Sequence, residues 1–129
     1  MTGSENRGIS SALEYYLEAI YSLSAQKSAV RITDIALYLG ISKPSVNRAV
    51  NSLKAQGLVS HEPYGDIMLT DSGMELGEHI FKRHKQIRRF LMNVLKMSEE
   101  DADAEAYNIE HSISQNAVDK MVSYMEAEG

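Results

Sequence analysis

The chain has 129 residues, 43% of them apolar and 24% charged, enough for one compact domain or two small subdomains and too few for a large multi-domain enzyme. No apolar run reaches the roughly 18 residues that span a bilayer, and the start, Met1 to Arg7, has neither a basic nor an apolar signal region, so the expected location is the cytoplasm. A net charge of -5 argues against indiscriminate coating of nucleic acid, and the absence of cysteine excludes thiolate zinc sites, iron–sulfur clusters and Cys nucleophiles.

In chain order, Ser10 or Ser11 is a good N-cap, and Leu13, Tyr16, Leu17, Ile20, Tyr21 and Leu23 recur at helical spacing, which predicts a helix over about 10–25. Thr33 is the expected cap of a short helix holding Ile35, Ala36 and Leu39, and Gly40 sits where a helix end favours positive φ. Ser42 then caps a helix over about 43–56 with Pro44 in its first turn. Its inward positions are Val46, Ala49, Val50 and Leu53, which turns Lys43, Ser45, Asn47, Arg48, Asn51 and Lys54 outward on a face without carboxylates. Residues 58–62 and 66–70 flank Pro63-Tyr64-Gly65 and read as a β-hairpin. Thr70 or Asp71 opens a long helix through Met74, Leu76, Ile80, Phe81, Ile87, Phe90, Leu91, Val94 and Leu95, its first turns weakened by Gly73 and Gly77. Ser98 caps an acidic helix whose inward stripe is Ala102, Ala106, Ile109 and Ile113, and Ser114 caps a last helix over about 115–127.

A short helix, a Gly-containing turn, a second helix with a cationic outer face and a hairpin make up the order of a winged helix-turn-helix. The expected fold is therefore mainly α: a winged helix-turn-helix DNA-binding domain over 1–72, then a second, helical domain over 73–129. Donors and short side chains at the start of such a helix suit base edges and phosphates in the major groove. Thr33, Ser42, Lys43, Pro44, Ser45, Asn47, Arg48 and Asn51 are the candidate DNA contacts, with the wing in a supporting role because Asp66 lies at its tip. An ordinary solvated helix face is the plainer alternative, and winged helices also serve as protein-interaction modules.

The C-terminal half holds His84 and the adjacent pair Glu110-His111, while Glu18 occupies a position the first helix does not need for its apolar stripe. Adjacent residues on a helix point about 100° apart, so Glu110 and His111 are not expected to chelate one ion, although each can serve a different one. A buried His hydrogen-bonded to a Glu explains the same residues without metal.

Over nearly its whole length the chain resembles the DtxR/MntR family of metal-dependent transcriptional repressors, through Glu14 to Tyr21, Ile32 to Ala36, Lys82-Arg83-His84 before Phe90-Leu91, and Ile109 to Ser114. The resemblance implies a homodimer, paired through its C-terminal helices, that binds palindromic operators when Mn(II) or Fe(II) is abundant. It looks like the shorter, manganese-regulator type without an SH3-like domain. Glu18, His84, Glu110 and His111 fall on family ligand positions, whereas Tyr15 and Tyr107 stand where the manganese regulators have carboxylates, and Arg88 and Asp103 stand on positions of the iron regulators' ancillary site. A phenol is a poor ligand for either ion. Three outcomes follow: one metal held by a reduced set, another metal or small ligand in a tyrosine-lined pocket, or a metal-independent regulator in which Tyr15 and Tyr107 pack where the ion would sit.

The leading expectation is a DNA-binding repressor responsive to Mn or Fe; the alternatives are a winged-helix regulator with a degenerate metal site, or a protein-interaction module. An enzyme is not expected, since there is no phosphate-binding glycine loop or Ser nucleophile elbow. Ile109, Ile113, Val118, Met121, Val122 and Met125 offer the apolar surface expected for dimerisation, unless they only fill the intrachain core.

Overall fold

The computed structural model describes residues 9–63 and 65–128. Among them are six helices and one two-stranded sheet: α1 (Ser11–Gln26), α2 (Ile32–Leu39), α3 (Lys43–Ala55), β1 (Val59–His61), β2 (Ile67–Leu69), α4 (Asp71–Asn93), α5 (Glu99–Ile109) and α6 (Gln115–Glu128). No helix among the described residues is long and apolar enough to cross a membrane. Among the described residues two compact units form, one within Ala12–His79 and one over residues 80–128 with residues 9–11, so that the boundary falls inside α4.

In the first unit, α2 packs on α3 and α3 on β1, the arrangement of a winged helix-turn-helix. Val46, Val50 and Leu53 on α3 are completely buried, as are Ile20 on α1 and Ile35 on α2. Each such side chain contributes about 1.5–3 kcal/mol on leaving water, which holds the outer face of α3 in a fixed orientation within the unit. The turn between α2 and α3 closes through Gly40 at φ 68°, whose N–H donates to the Ala36 carbonyl at 2.9 Å. Ser42 caps α3, its Oγ accepting from the Ser45 N–H at 3.4 Å.

The cap of α2 differs from expectation. The helix starts at Ile32 behind Arg31, and Thr33 lies within its first turn. Asp34 explains the shift: its carboxylate accepts the Arg31 backbone N–H at 2.9 Å and the Lys27 Nζ at 2.8 Å, completing a first turn that Thr33 would have interrupted. The hairpin pairs Val59 with Leu69 and His61 with Ile67, and Val30 adds an isolated antiparallel bridge to Ile67. Tyr64, expected at the hairpin tip, lies outside the described residues.

Thr70 caps α4 by accepting the Gly73 N–H at 3.0 Å. The inward positions of α4 are Leu76, Ile80, Ile87 and Leu91, whereas Met74 and Phe81, read in the same stripe from the sequence, are exposed. The helix ends at Asn93, short of Leu95, because the chain turns through Lys96 at φ 62°. In the second unit Ile87, Leu91, Ala102, Ala106 and Val118 form the core, with Phe90, Ile109, Ile113 and Met121 packed against it. Val118 is therefore core, and Val122 and Met125 are half-buried. Ser98 and Ser114 cap as expected, through the Asp101 and Ala117 N–H groups at 3.1 Å each. Ile113 is not on α5, which stops at Ile109; it follows in a turn where its own N–H bonds the Ile109 carbonyl at 3.0 Å.

Candidate metal centre and nucleic-acid interface

On the first unit, Ser42, Lys43, Pro44, Asn47, Arg48 and Asn51 are exposed along α3 and its cap, and Ser45 is half-exposed. Ser45 is placed by its neighbours: Ser42 Oγ donates to its hydroxyl at 3.0 Å and Arg48 Nη2 at 3.3 Å. This chain of bonds steers the Arg48 guanidinium along the helix surface. Thr33 is exposed on α2. Lys54, counted on this face from the sequence, is engaged elsewhere, with the His61 carbonyl at 3.0 Å, and nearby Arg31 pairs with Asp66 at 3.3 Å. The second contact also answers the acid at the wing. Lys43 and Arg48 are the other exposed cations of α3, a helix that carries no carboxylate.

On the second unit, α4 supplies His84 and the end of α5 supplies Glu110, 6% and 2% exposed. His84 Nδ1 lies 2.5 Å from Glu110 Oε1, and the other Glu110 oxygen lies 3.0 Å from His111 Nε2. One buried carboxylate thus faces two imidazoles. Glu110 is the C-cap of α5 and keeps helical backbone angles, φ -62° and ψ -28°, and its two oxygens face different imidazoles, one to each. Arg83, also buried, donates through Nη2 to the Ile113 carbonyl and fixes that turn against α4.

Asp103, nearly two turns before the end of α5, and Tyr107, in its last turn, complete the surroundings of His84. Asp103 Oδ1 lies 2.8 Å from His84 Nε2, and the Tyr107 ring lies 4.6 Å from the imidazole, tilted by 51°. Burial alone disfavours the charged imidazole, but the hydrogen bonds from Glu110 and then Asp103 outweigh it and hold the His84 pKa above its ordinary 6.5.

The structure thus brings His84, Glu110 and His111 together, with Asp103 as a neighbour that sequence reasoning did not assign a role. Asp103, Tyr107 and Glu110 follow at i, i+4 and i+7, a spacing that would have shown them on one helix face. Glu18 stands on α1 in the other unit, almost completely buried, and Glu14 one turn before it is buried as well, which was not expected. Tyr15, half-buried on the same helix, meets Tyr16 edge-on at 6.0 Å. Imidazole and carboxylate donors in a water-poor pocket suit a divalent ion such as Mn(II), Fe(II) or Zn(II), so the residues present fit a metal.

Residues 9–67 match the family described as iron dependent repressor, N-terminal DNA binding domain, and residues 70–127 match iron dependent repressor, metal binding and dimerisation domain. An HTH-type transcriptional regulator of Methanocaldococcus jannaschii is 33% identical over 119 residues, 92% of this chain and 95% of that protein. The HTH-type transcriptional regulator MntR of Geobacillus kaustophilus is 33% identical over 110 residues, 85% of this chain and 77% of its own. Among solved structures, the manganese regulator SloR matches with a TM-score of 0.78 at 29% identity, covering 88% of this chain. This chain spans about half of that solved chain, 53%. Two domain matches in unbroken order and two relatives at 33% identity over most of both lengths show that the chain belongs to the iron dependent repressor family, the DtxR/MntR transcriptional regulators, and not to a family of enzymes.

Proposed function

We propose that the chain is a Mn(II)- or Fe(II)-responsive repressor that binds palindromic double-stranded DNA as a homodimer. In this reading residues 1–72 read DNA and residues 73–129 bind metal and dimerise. The observation that carries it is the buried Glu110 carboxylate, one oxygen 2.5 Å from His84 Nδ1 and the other 3.0 Å from His111 Nε2. His84, Glu110 and His111 would hold the ion, with Glu18 as the further ligand implied by the resemblance and supported by its burial as a carboxylate. When bound, the ion supplies positive charge that ties these donors into one arrangement. Lys43, Ser45, Asn47, Arg48 and Asn51 would meet the major groove, Ser42 and Pro44 would hold the start of α3, and Thr33 would contact the backbone from α2. Such a regulator works beside the chromosome, in the cytoplasm.

A second reading is favoured by one observation: His84 already has a carboxylate at each ring nitrogen and Tyr107 against its face, so the unit is closed without an ion. That regulator would bind DNA independently of metal. Fluorescence anisotropy on DNA from the protein's own promoter, with excess Mn(II) and then with a chelator, separates the two. Metal-responsive repression requires affinity to rise at least about tenfold with Mn(II), a coupling of about 1.4 kcal/mol, with Arg48→Ala weakening binding in both conditions. Equal, tight binding with and without Mn(II) sinks the metal reading and supports the second.

A further inference from the structure

His84 presents two chemically distinct nitrogens to two different carboxylates. Nδ1 faces one oxygen of Glu110, whose other oxygen faces His111, and Nε2 faces Asp103 at 2.8 Å. Asp103 differs from Glu110 in its setting. Its side chain is 49% exposed, it approaches no second imidazole among the described contacts, and its Oδ1 also lies 3.9 Å from Arg88 Nε. Arg88 in turn donates to Glu99 Oε2 at 3.3 Å, so the guanidinium is anchored between the first turn of α5 and Asp103. The result is a continuous line of polar contacts from the surface of the second unit into its interior: Glu99, Arg88, Asp103, His84, Glu110, His111.

A metal takes an imidazole through a nitrogen that has lost its hydrogen, and the other nitrogen keeps one. An acceptor fixed on the far nitrogen selects the tautomer, sets the ring plane and increases the electron density available to the ion. We propose that Asp103 is a positioning residue for metal binding: by accepting the Nε2–H of His84 it turns Nδ1 toward Glu110 and His111 as the ligand nitrogen. Arg88 holds the carboxylate in place for that task, and Asp103 itself does not touch the ion. The assignment rests on the metal reading above, because a positioning residue has no work in a protein that binds no metal. It gives a role to a residue that is not among the ligands carried by the resemblance.

The test compares Asp103→Asn with Asp103→Ala in the full chain. Asparagine keeps an acceptor oxygen at the same place, whereas alanine removes it, and the half-exposed position in a helix tolerates both. Calorimetric titration with Mn(II) should show Asp103→Asn close to the wild type and Asp103→Ala weakened by about tenfold to a hundredfold. Ring-nitrogen NMR of His84 with Zn(II), a diamagnetic probe, should show the hydrogen on Nε2 and the metal on Nδ1 in the wild type and in Asp103→Asn. Asp103→Ala should lose that single pattern. Equal weakening of the two variants would show a charge effect instead of positioning, and unchanged affinity in Asp103→Ala or Zn(II) on Nε2 would overturn the assignment. If the wild type binds neither Mn(II) nor Zn(II), the metal reading itself fails along with the assignment; if it binds and only the variants disobey, the metal reading stands and this assignment falls.

Discussion

Glu110 and His84 carry the chemistry of the second unit, and their behaviour follows from burial. A carboxylate removed from water is costly unless something positive or hydrogen-bonding meets it, and the His84 ring does so. Because the His84 pKa is raised above 6.5 in the folded chain, its contribution to stability is fully present below 6.5 and is lost as the pH rises through the folded value. In the presence of chelator, the melting-temperature advantage of the wild type over His84→Gln should therefore shrink as the pH is raised from about 6 toward 9. An advantage that grows over that range would contradict a His84 pKa held up by its two carboxylates. The residues of this site were legible in the sequence mainly by resemblance to a family. Spacing alone put Glu110 and His111 on diverging faces, and no Gly or Pro announces that α5 stops at Ile109. Asp103 was visible only as a departure from a ligand position, because its partner His84 is 19 residues away on another helix.

Elements were far more legible than contacts between them. Ser42, Thr70, Ser98 and Ser114 cap the helices assigned to them because capping is a local bond within three residues, which sequence displays directly. Thr33 failed because a competing local device, the Asp34 carboxylate on the Arg31 N–H, began α2 earlier. Gly73 and Gly77 read as flaws in α4, yet they are the places where the helix meets its neighbours. A Cβ on Gly73 would come 1.9 Å from the Leu58 carbonyl oxygen, and one on Gly77 would come 2.8 Å from the Tyr21 ring. Alanine has the higher helix propensity by about 1 kcal/mol, but a backbone oxygen cannot yield as a flexible side chain can. Gly73→Ala should destabilise the protein by at least about 2 kcal/mol in urea unfolding, with the loss read at 222 nm as an earlier midpoint. A neutral or stabilising effect would mean that the contact between the start of α4 and Leu58 is looser than described.

At the scale of the molecule, the proposed function asks an acidic chain to bind a polyanion through one local face and to respond to an ion held elsewhere. The net charge of -5 makes nonspecific attraction weak, so in the proposed function affinity would depend on the few exposed cations and donors of α3 and on the doubling of that face in a dimer. If metal strengthens DNA binding, thermodynamic linkage requires the converse by the same factor, whatever the structural route between the units. A ligand that favours neither arrangement shifts nothing, so the factor measures how differently Mn(II) binds the DNA-bound and free forms. The expectation is quantitative: Mn(II) titrated into the protein with saturating operator should bind tighter than into protein alone by the same ratio that Mn(II) adds to DNA affinity, about tenfold or more. Scrambled DNA at the same salt concentration provides the reference, because phosphate contacts alone raise affinity without favouring the metal-bound form. Equal factors from both directions would place the ion and the operator on one equilibrium of the dimer. A metal-dependent gain in DNA affinity with no reciprocal gain in metal affinity would instead show Mn(II) acting on the DNA, outside the His84–Glu110–His111 cluster.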